Sequence, residues 1–228
     1  MRRLGQAIGI LGVAITAAAC GSSGGGTIPS APATPLQGAA ADHMRLDMMR
    51  LRLDDLGPNW QRQAPSSESK TSSKCDPRPR DVKITAGNWK SRGVSYGFGT
   101  TAQIHSDAIV FATPADAQKT VDAYMAPSVI HCVTRELRRE FRGSKDVNLL
   151  GITSSVLRRH PVADELSGFR VTLNLAKGKR FFKFFIDAFM VRQDRAVAEF
   201  SYMNAFQPAS TGTEYTLAQA IAQRGALG

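Results

Sequence analysis

A chain of 228 residues with a 43% apolar share has room for one sizeable globular domain once flexible ends are set aside, and too little length for an array of domains. Its 29 basic and 19 acidic residues give a formal charge of +10, or +8 without Arg2 and Arg3. That balance favours anionic partners such as lipid headgroups, acidic wall polymers or nucleic acid, and says nothing about fold.

Met1-Arg2-Arg3 is a short basic start, and Leu4–Thr16 an apolar run carrying Ile8, Ile10, Leu11, Val13 and Ile15. Small residues, Ala17-Ala18-Ala19, then lead to Cys20. This is the pattern of a secretory leader, too short and too weakly apolar for a spanning helix. Its end resembles a bacterial lipobox, Leu-Ala-Ala/Gly-Cys, with Ala17 in place of the leucine. The resemblance implies that residues 1–19 are removed, that Cys20 becomes an acylated N-terminus, and that the protein sits at the outer face of the cell membrane. Residues 20–41 hold Gly, Ser, Pro, Thr and Ala without any charge, which reads as a flexible tether because so little apolar surface cannot offset the entropy of ordering. A folded extracytoplasmic domain is expected over residues 42–228.

Asp42–Leu56 mixes Met and Leu with Arg and Asp and reads as a short helix ending at Gly57-Pro58, with Trp60 as an aromatic anchor. Residues 64–74 are polar and loop-like. Val94, Tyr96 and Phe98 alternate as a strand does, and Ile104–Phe111 is a second strand candidate. Thr113-Pro114-Ala115-Asp116 has the cap, the first-turn proline and the first-turn acid of a helix start. Ala117, Val121, Tyr124 and Met125 follow at helical spacing. Pro127 interrupts, and Ser128 is placed to cap a second helix. On that helix Val129, Ile130, Val133, Leu137 and Phe141 form one stripe, while Arg135, Arg138, Arg139 and Arg142 gather on the other side. Four arginines near a helix C-terminus are either a solvated face that suits the dipole or a strip for an anionic or membrane partner.

The C-terminal half is strand-like. Val147–Leu157 reads as an edge segment, and Phe169, Val171, Leu173 and Leu175 alternate with Arg170, Thr172 and Asn174. Lys177-Gly178-Lys179 turns into Phe181–Val191, whose alternating faces are both apolar; Phe181, Phe185, Phe189 and Val191 lie on one, Phe182, Phe184, Ile186, Ala188 and Met190 on the other. Such a strand is expected inside a sheet covered on both sides. Gln193-Asp194-Arg195 turns out of it into Ala196–Phe206, which completes an antiparallel meander. Thr211–Arg224 reads as a closing helix. The whole is an α+β layout, one antiparallel sheet with helices packed against it in a single domain.

With Cys20 assigned to lipid, Cys75 and Cys132 are left as one pair, which outside the cytoplasm is expected to oxidise. The loop closed spans roughly 57 residues, worth on the order of 4 kcal/mol in the chain-entropy account. His43, His105, His131 and His160 are scattered, and no metal-ligand spacing, phosphate-binding glycine loop or dinucleotide fingerprint is present, so neither a metal nor a cofactor nor a catalytic group is assigned. Asp187 stands among apolar residues on the central strand. A buried acid needs a partner, and Arg170, Arg192 or Lys183 is within reach of that role; a functional site is the alternative.

Ala17–Cys20, Leu53–Trp60, Cys75, the segment Ile109–Ala117, Cys132 and the meander with Asp187 and Val191-Arg192 together resemble actinobacterial surface lipoproteins and the related extracellular sensor domains of mycobacterial receptor kinases of the PknH type. The resemblance implies an α+β domain with a cleft for a small ligand or wall component. Those domains typically carry two disulfides, whereas this chain can form one, and it has no kinase domain. The expected function is a non-enzymatic, membrane-anchored sensor or ligand-binding lipoprotein of the envelope. Its anionic or lipid-like ligand would lie on the sheet face away from the helices, near Arg135, Arg138, Arg139, Arg142 and Asp187. An interaction subunit of an envelope complex is the second reading and a hydrolase the third; nucleic acid is disfavoured by location.

Overall fold

The computed structural model describes residues 38–64, 75–77, 79–88, 93–142, 144, 147–157 and 162–226. The first half runs α1 (Ala39–Met49), a 3-10 turn (Leu53–Leu56), β1 (Gln61–Gln63), β2 (Ile84–Ala86), β3 (Val94–Phe98), β4 (Ala102–Phe111), α2 (Pro114–Tyr124) and α3 (Pro127–Arg142). The second half is β5 (Asn148–Leu157), β6 (Glu165–Lys177), β7 (Arg180–Gln193), β8 (Ala196–Ala205) and α4 (Thr211–Gly225). All pairings are antiparallel, in the order β1-β3-β4-β8-β7-β6-β5, with β2 also on β4. The meander β6-β7-β8 stands where the alternation places it, and β5 is its edge.

Helices cover both faces. Period-two alternation sends Ile104, Ala108 and Val110 of β4, Phe189 and Val191 of β7 and Phe200 of β8 towards α1 and α4, where they join Leu46, Met49, Leu217 and Ile221. The phenyl rings of Phe189 and Phe200 stack at 4.8 Å. Gly168 on β6 makes room for them: a Cβ there would meet the Phe189 ring at 2.5 Å. The opposite face holds two smaller clusters. Val171, Leu173 and Leu175 pack under Ile130 and Leu137 of α3, and Phe111, Met190 and Val197 under Ala117 and Val121 of α2. A ligand site on a sheet face free of helices is therefore overturned, because the apolar residues of each face recruit their own helices. Phe181 also departs from the expected pattern: β7 runs past the helices at its start, and this ring is 76% exposed.

Helix boundaries follow local chemistry. Thr113 caps α2 by accepting the Asp116 N–H at 3.1 Å, with Pro114 in the first turn, and Ser210 caps α4 through the Thr213 N–H at 3.1 Å. The second helix starts at Pro127 rather than behind a Ser128 cap, since a first-position proline has no N–H to satisfy. The first helix begins at Ala39, just ahead of Asp42, and stops at Met49 instead of reaching Leu56. Side chains take over its backbone groups there. Arg224 donates to the Met48 and Arg50 carbonyls, each at 3.0 Å, Tyr96 Oη to the Leu51 carbonyl at 2.9 Å, and Leu51 N–H to Ser106 Oγ at 3.2 Å. Three-residue strands β1 and β2, with no pattern of their own, complete the sheet edge.

Candidate functional site

The residues singled out from sequence do not converge. Cys20 lies outside the described residues. Cys75 and Cys132 are joined as a disulfide, as expected. The four arginines sit on the outer side of α3, but two of them are engaged: Arg139 Nη1 reaches Glu136 at 2.7 Å and Arg135 Nε reaches it at 3.6 Å. Glu136 is itself buried, on the inward side beside Leu137. Arg138 and Arg142 are exposed.

Asp187 lies on the other side of the sheet, so it shares no site with these arginines. It is fully buried, and its position opposite Arg170 on β6 puts both side chains on the α4 face. Arg170 donates to both carboxylate oxygens, at 2.6 and 2.9 Å, and further to Glu214 Oε1 at 2.9 Å and the Ala209 carbonyl at 3.1 Å. The Ala209 N–H closes the ring onto Asp187 Oδ2 at 3.1 Å. Arg170 is thus the partner; Arg192 pairs with Asp164 and Glu165, and Lys183 is exposed. Glu214 is pushed up to about 7, first by burial and then by Asp187, against the pull of Arg170. This network is closed upon itself and anchors the start of α4 to the sheet.

The opening into the fold is elsewhere, on the α2 side. A partly open cavity of about 70 Å³ has a floor of Ile109 and Phe111 from β4, Met190 from β7 and Val197 and Glu199 from β8, with Thr120 and Tyr124 of α2 as one wall. Asn88 and Asp107 stand at its lip. Asp107 lies where neither β2 nor β3 pairs with β4, and Arg50 donates to its Oδ1 at 3.1 and 2.8 Å through that gap. Tyr124 Oη donates to Asp76 Oδ1 at 3.2 Å, next to the Cys75–Cys132 bond, so the disulfide braces the helical wall. Glu199 faces Asp107 directly across the β4–β8 ladder. Its carboxyl has no hydrogen bond or ion pair among the described residues, and it is pushed up to about 7 by burial first, then by Asp107 and Asp76. An acid aimed at a small cavity without a cation of its own is suited to receive a proton, a donor or a cation.

No family model matches the sequence, and no curated protein matches it. Among solved structures the chain is similar to the extracellular domain of PknH from Mycobacterium tuberculosis, at 11% identity and a TM-score of 0.41, over 82% of this chain and 97% of that one. It is also similar to LpqN, involved in cell envelope biogenesis of Mycobacterium tuberculosis, at 13% identity and a TM-score of 0.26, over 64% of this chain and 78% of that one.

Among the described residues, a hydrolytic arrangement has one point of departure, the Ser95 Oγ···His105 Nδ1 contact of 3.1 Å. Ser95 and His105 are a directly opposed β3–β4 pair, and Ser95 is 1% exposed. Burial lowers the His105 pKa, opposed by Asp107, which keeps the ring neutral in that cross-strand bond. Glu199 was missed from sequence. The signal was an acid inside the apolar run Ala196–Phe200, the same signal that marked Asp187.

Proposed function

We propose that the protein is a non-enzymatic binding domain of the cell envelope, exported and held at the outer face of the membrane through lipidated Cys20. Its cavity takes a small cationic group, a primary amine in the simplest case, onto Glu199. The observation that carries this is the Glu199 carboxyl, unpaired among the described residues on the floor of a partly open cavity. The oxidised Cys75–Cys132 pair supports an address outside the cytoplasm. No helix of the described residues is long and apolar enough to cross a membrane. The size of the cavity argues for the head of a molecule: about 70 Å³ is far below the roughly 300–1,000 Å³ of sites that engulf a drug-sized ligand. An anionic group does not suit this floor, because ionised Glu199 repels it, whereas Asp107 is already paired with Arg50.

The test is a titration with ethanolamine and simple alkylamines followed by NMR at acid and alkaline pH. Saturable shifts at Ile109, Thr120 and Val197 are expected. Binding should tighten as pH rises through about 7, because the cation needs Glu199 ionised. Glu199→Gln should abolish the shifts. Amines that leave these resonances unmoved, or that bind the variant equally well, would sink the reading.

A further inference from the structure

We propose that one rim of the sheet docks on an anionic lipid bilayer. At this rim β6 turns into β7 and β3 into β4, β5 begins and β8 ends: Lys177 pairs with Arg180, Phe98 with Ala102 and Asn148 with Ala176, and the Phe206 N–H donates to the Lys183 carbonyl at 2.9 Å. Four large apolar side chains point into solvent here: Phe98 at 42%, Leu150 at 59%, Phe181 at 76% and Phe206 at 66% exposure. Phe206 also holds φ at 120°, a region where glycine is at ease and an aromatic residue is strained. Its ring touches Phe182, with centroids 6.4 Å apart, and is otherwise left to solvent, so a strained backbone presents a ring that packing covers only in part, which points to a use for it.

The same rim is basic. Lys179, Arg180 and Lys183 are exposed, Lys177 is half-buried, and none of the four makes an ion pair among the described residues. The chain passes from α3 into β5 through the short link 143–147, so the C-terminal end of α3, with exposed Arg138 and Arg142, arrives at this rim too. No acid occurs between Asp81 and Asp107, between Glu165 and Asp187, or between Glu199 and Glu214, the stretches that hold the two turns and the end of β8, while Glu140 and Asp146 accompany Arg138 and Arg142 in sequence. The opposite rim differs: three of its arginines are held in ion pairs, Arg45 with Asp194, Arg192 with Asp164 and Arg195 with Asp42.

Unpaired cations beside exposed phenyl rings are the composition that lies down on an anionic bilayer, with ammonium and guanidinium groups at the phosphates and rings among the acyl boundary. A soluble acidic polymer would use the cations and leave the rings without a role, so the rings decide for the bilayer. The docking depends on neither the Glu199 cavity nor the acylation of Cys20.

The experiment uses the chain from residue 20 onward, which keeps the whole described fold, with Cys20→Ser so that no acyl group contributes. Cosedimentation is measured with vesicles of phosphatidylcholine, alone or with about a third phosphatidylglycerol. Binding to the anionic vesicles only is expected, and it should fall steeply with salt. Lys179→Gln with Arg180→Gln and Lys183→Gln should weaken it by on the order of tenfold or more. Phe181→Ser with Phe206→Gly should weaken it comparably, the glycine suiting the backbone at 206, while Lys83→Gln near the opposite rim should leave it unchanged. A Phe181→Trp probe should shift its fluorescence to the blue on anionic vesicles, a readout that survives if a multiple variant misfolds. No binding to anionic vesicles, equal binding to neutral ones, or a probe that does not shift overturns the proposal. Weakening by the charge variant but not by the phenylalanine variant assigns the rim to soluble polyanions and likewise overturns it.

Discussion

Asp187 and Glu199 are both single acids in apolar strands, and their fates are set by what faces them across the sheet. Asp187 meets Arg170 and accepts three hydrogen bonds from that guanidinium and the Ala209 N–H; Glu199 meets Asp107 and Met190. Sequence carried the first outcome part of the way, since a buried acid demands a partner and Arg170 was one of three within reach. It did not carry the second, because an acid on an alternating strand faces solvent unless a helix roofs it, and the packing of α2 is a tertiary event. The Asp187 ring makes a sharp prediction. Arg170→Ala strands a fully buried carboxylate and should cost about 3–5 kcal/mol, read from the urea midpoint with an unchanged slope. Arg170→Met combined with Asp187→Leu removes both charges and should recover much of that loss. If the double variant is no more stable than the single one, the charge account of this ring is wrong.

At the scale of elements, legibility followed local chemistry. The caps of α2 and α4, the Lys177–Lys179 turn and the period-two runs of β6 and β7 are written in a few adjacent residues each, and the structure places them accordingly. The early stop of α1 is not written locally: Tyr96, Ser106 and Arg224, far along the chain, supply the hydrogen bonds that draw Leu51 out of helix. Strands β1 and β2 owe their pairing to β3 and β4 and have no signature of their own. The disulfide links the two kinds of information, because it ties the 75–77 segment to α3 and holds Asp76 against Tyr124. Cys75→Ser with Cys132→Ser should lower stability by about 2–4 kcal/mol. It should also speed amide exchange in α2 more than in β6 or β7, with amine binding at Glu199 weakened in step. Uniform acceleration across the domain would mean that the bond stabilises globally and does not brace the cavity wall.

At the scale of the whole molecule, the net charge of +10 hides a separation, with exposed lysines and arginines at one rim, ion pairs at the other and acids at the cavity. That separation depends on which strand ends meet, a property of topology. It also shapes the response to pH. Glu199 and Glu214 are each raised from 4.5 to about 7 in the folded state, so the native protein holds protons there that the unfolded chain has released. Their contribution is complete below about pH 4.5 and is lost as pH rises through about 7. Each is worth about 1–3 kcal/mol, the lower values applying to Glu199 where its cavity admits water. Asp42 works in the opposite sense. Its hydrogen bond with Arg195 holds it below the ordinary carboxylate range, and that stability disappears as pH falls through the lowered value. Stability should therefore peak on the acid side of neutrality, at about pH 5, and decline towards pH 8. Glu199→Gln should remove part of the decline and leave the acid limb unchanged, so the variant is less affected by alkali than the parent chain. Urea midpoints taken across this range decide the matter: a maximum at or above neutrality, or a Gln variant with the same decline as the parent, would show that Glu199 ionises freely and that its cavity is wet enough to bear the charge without a ligand.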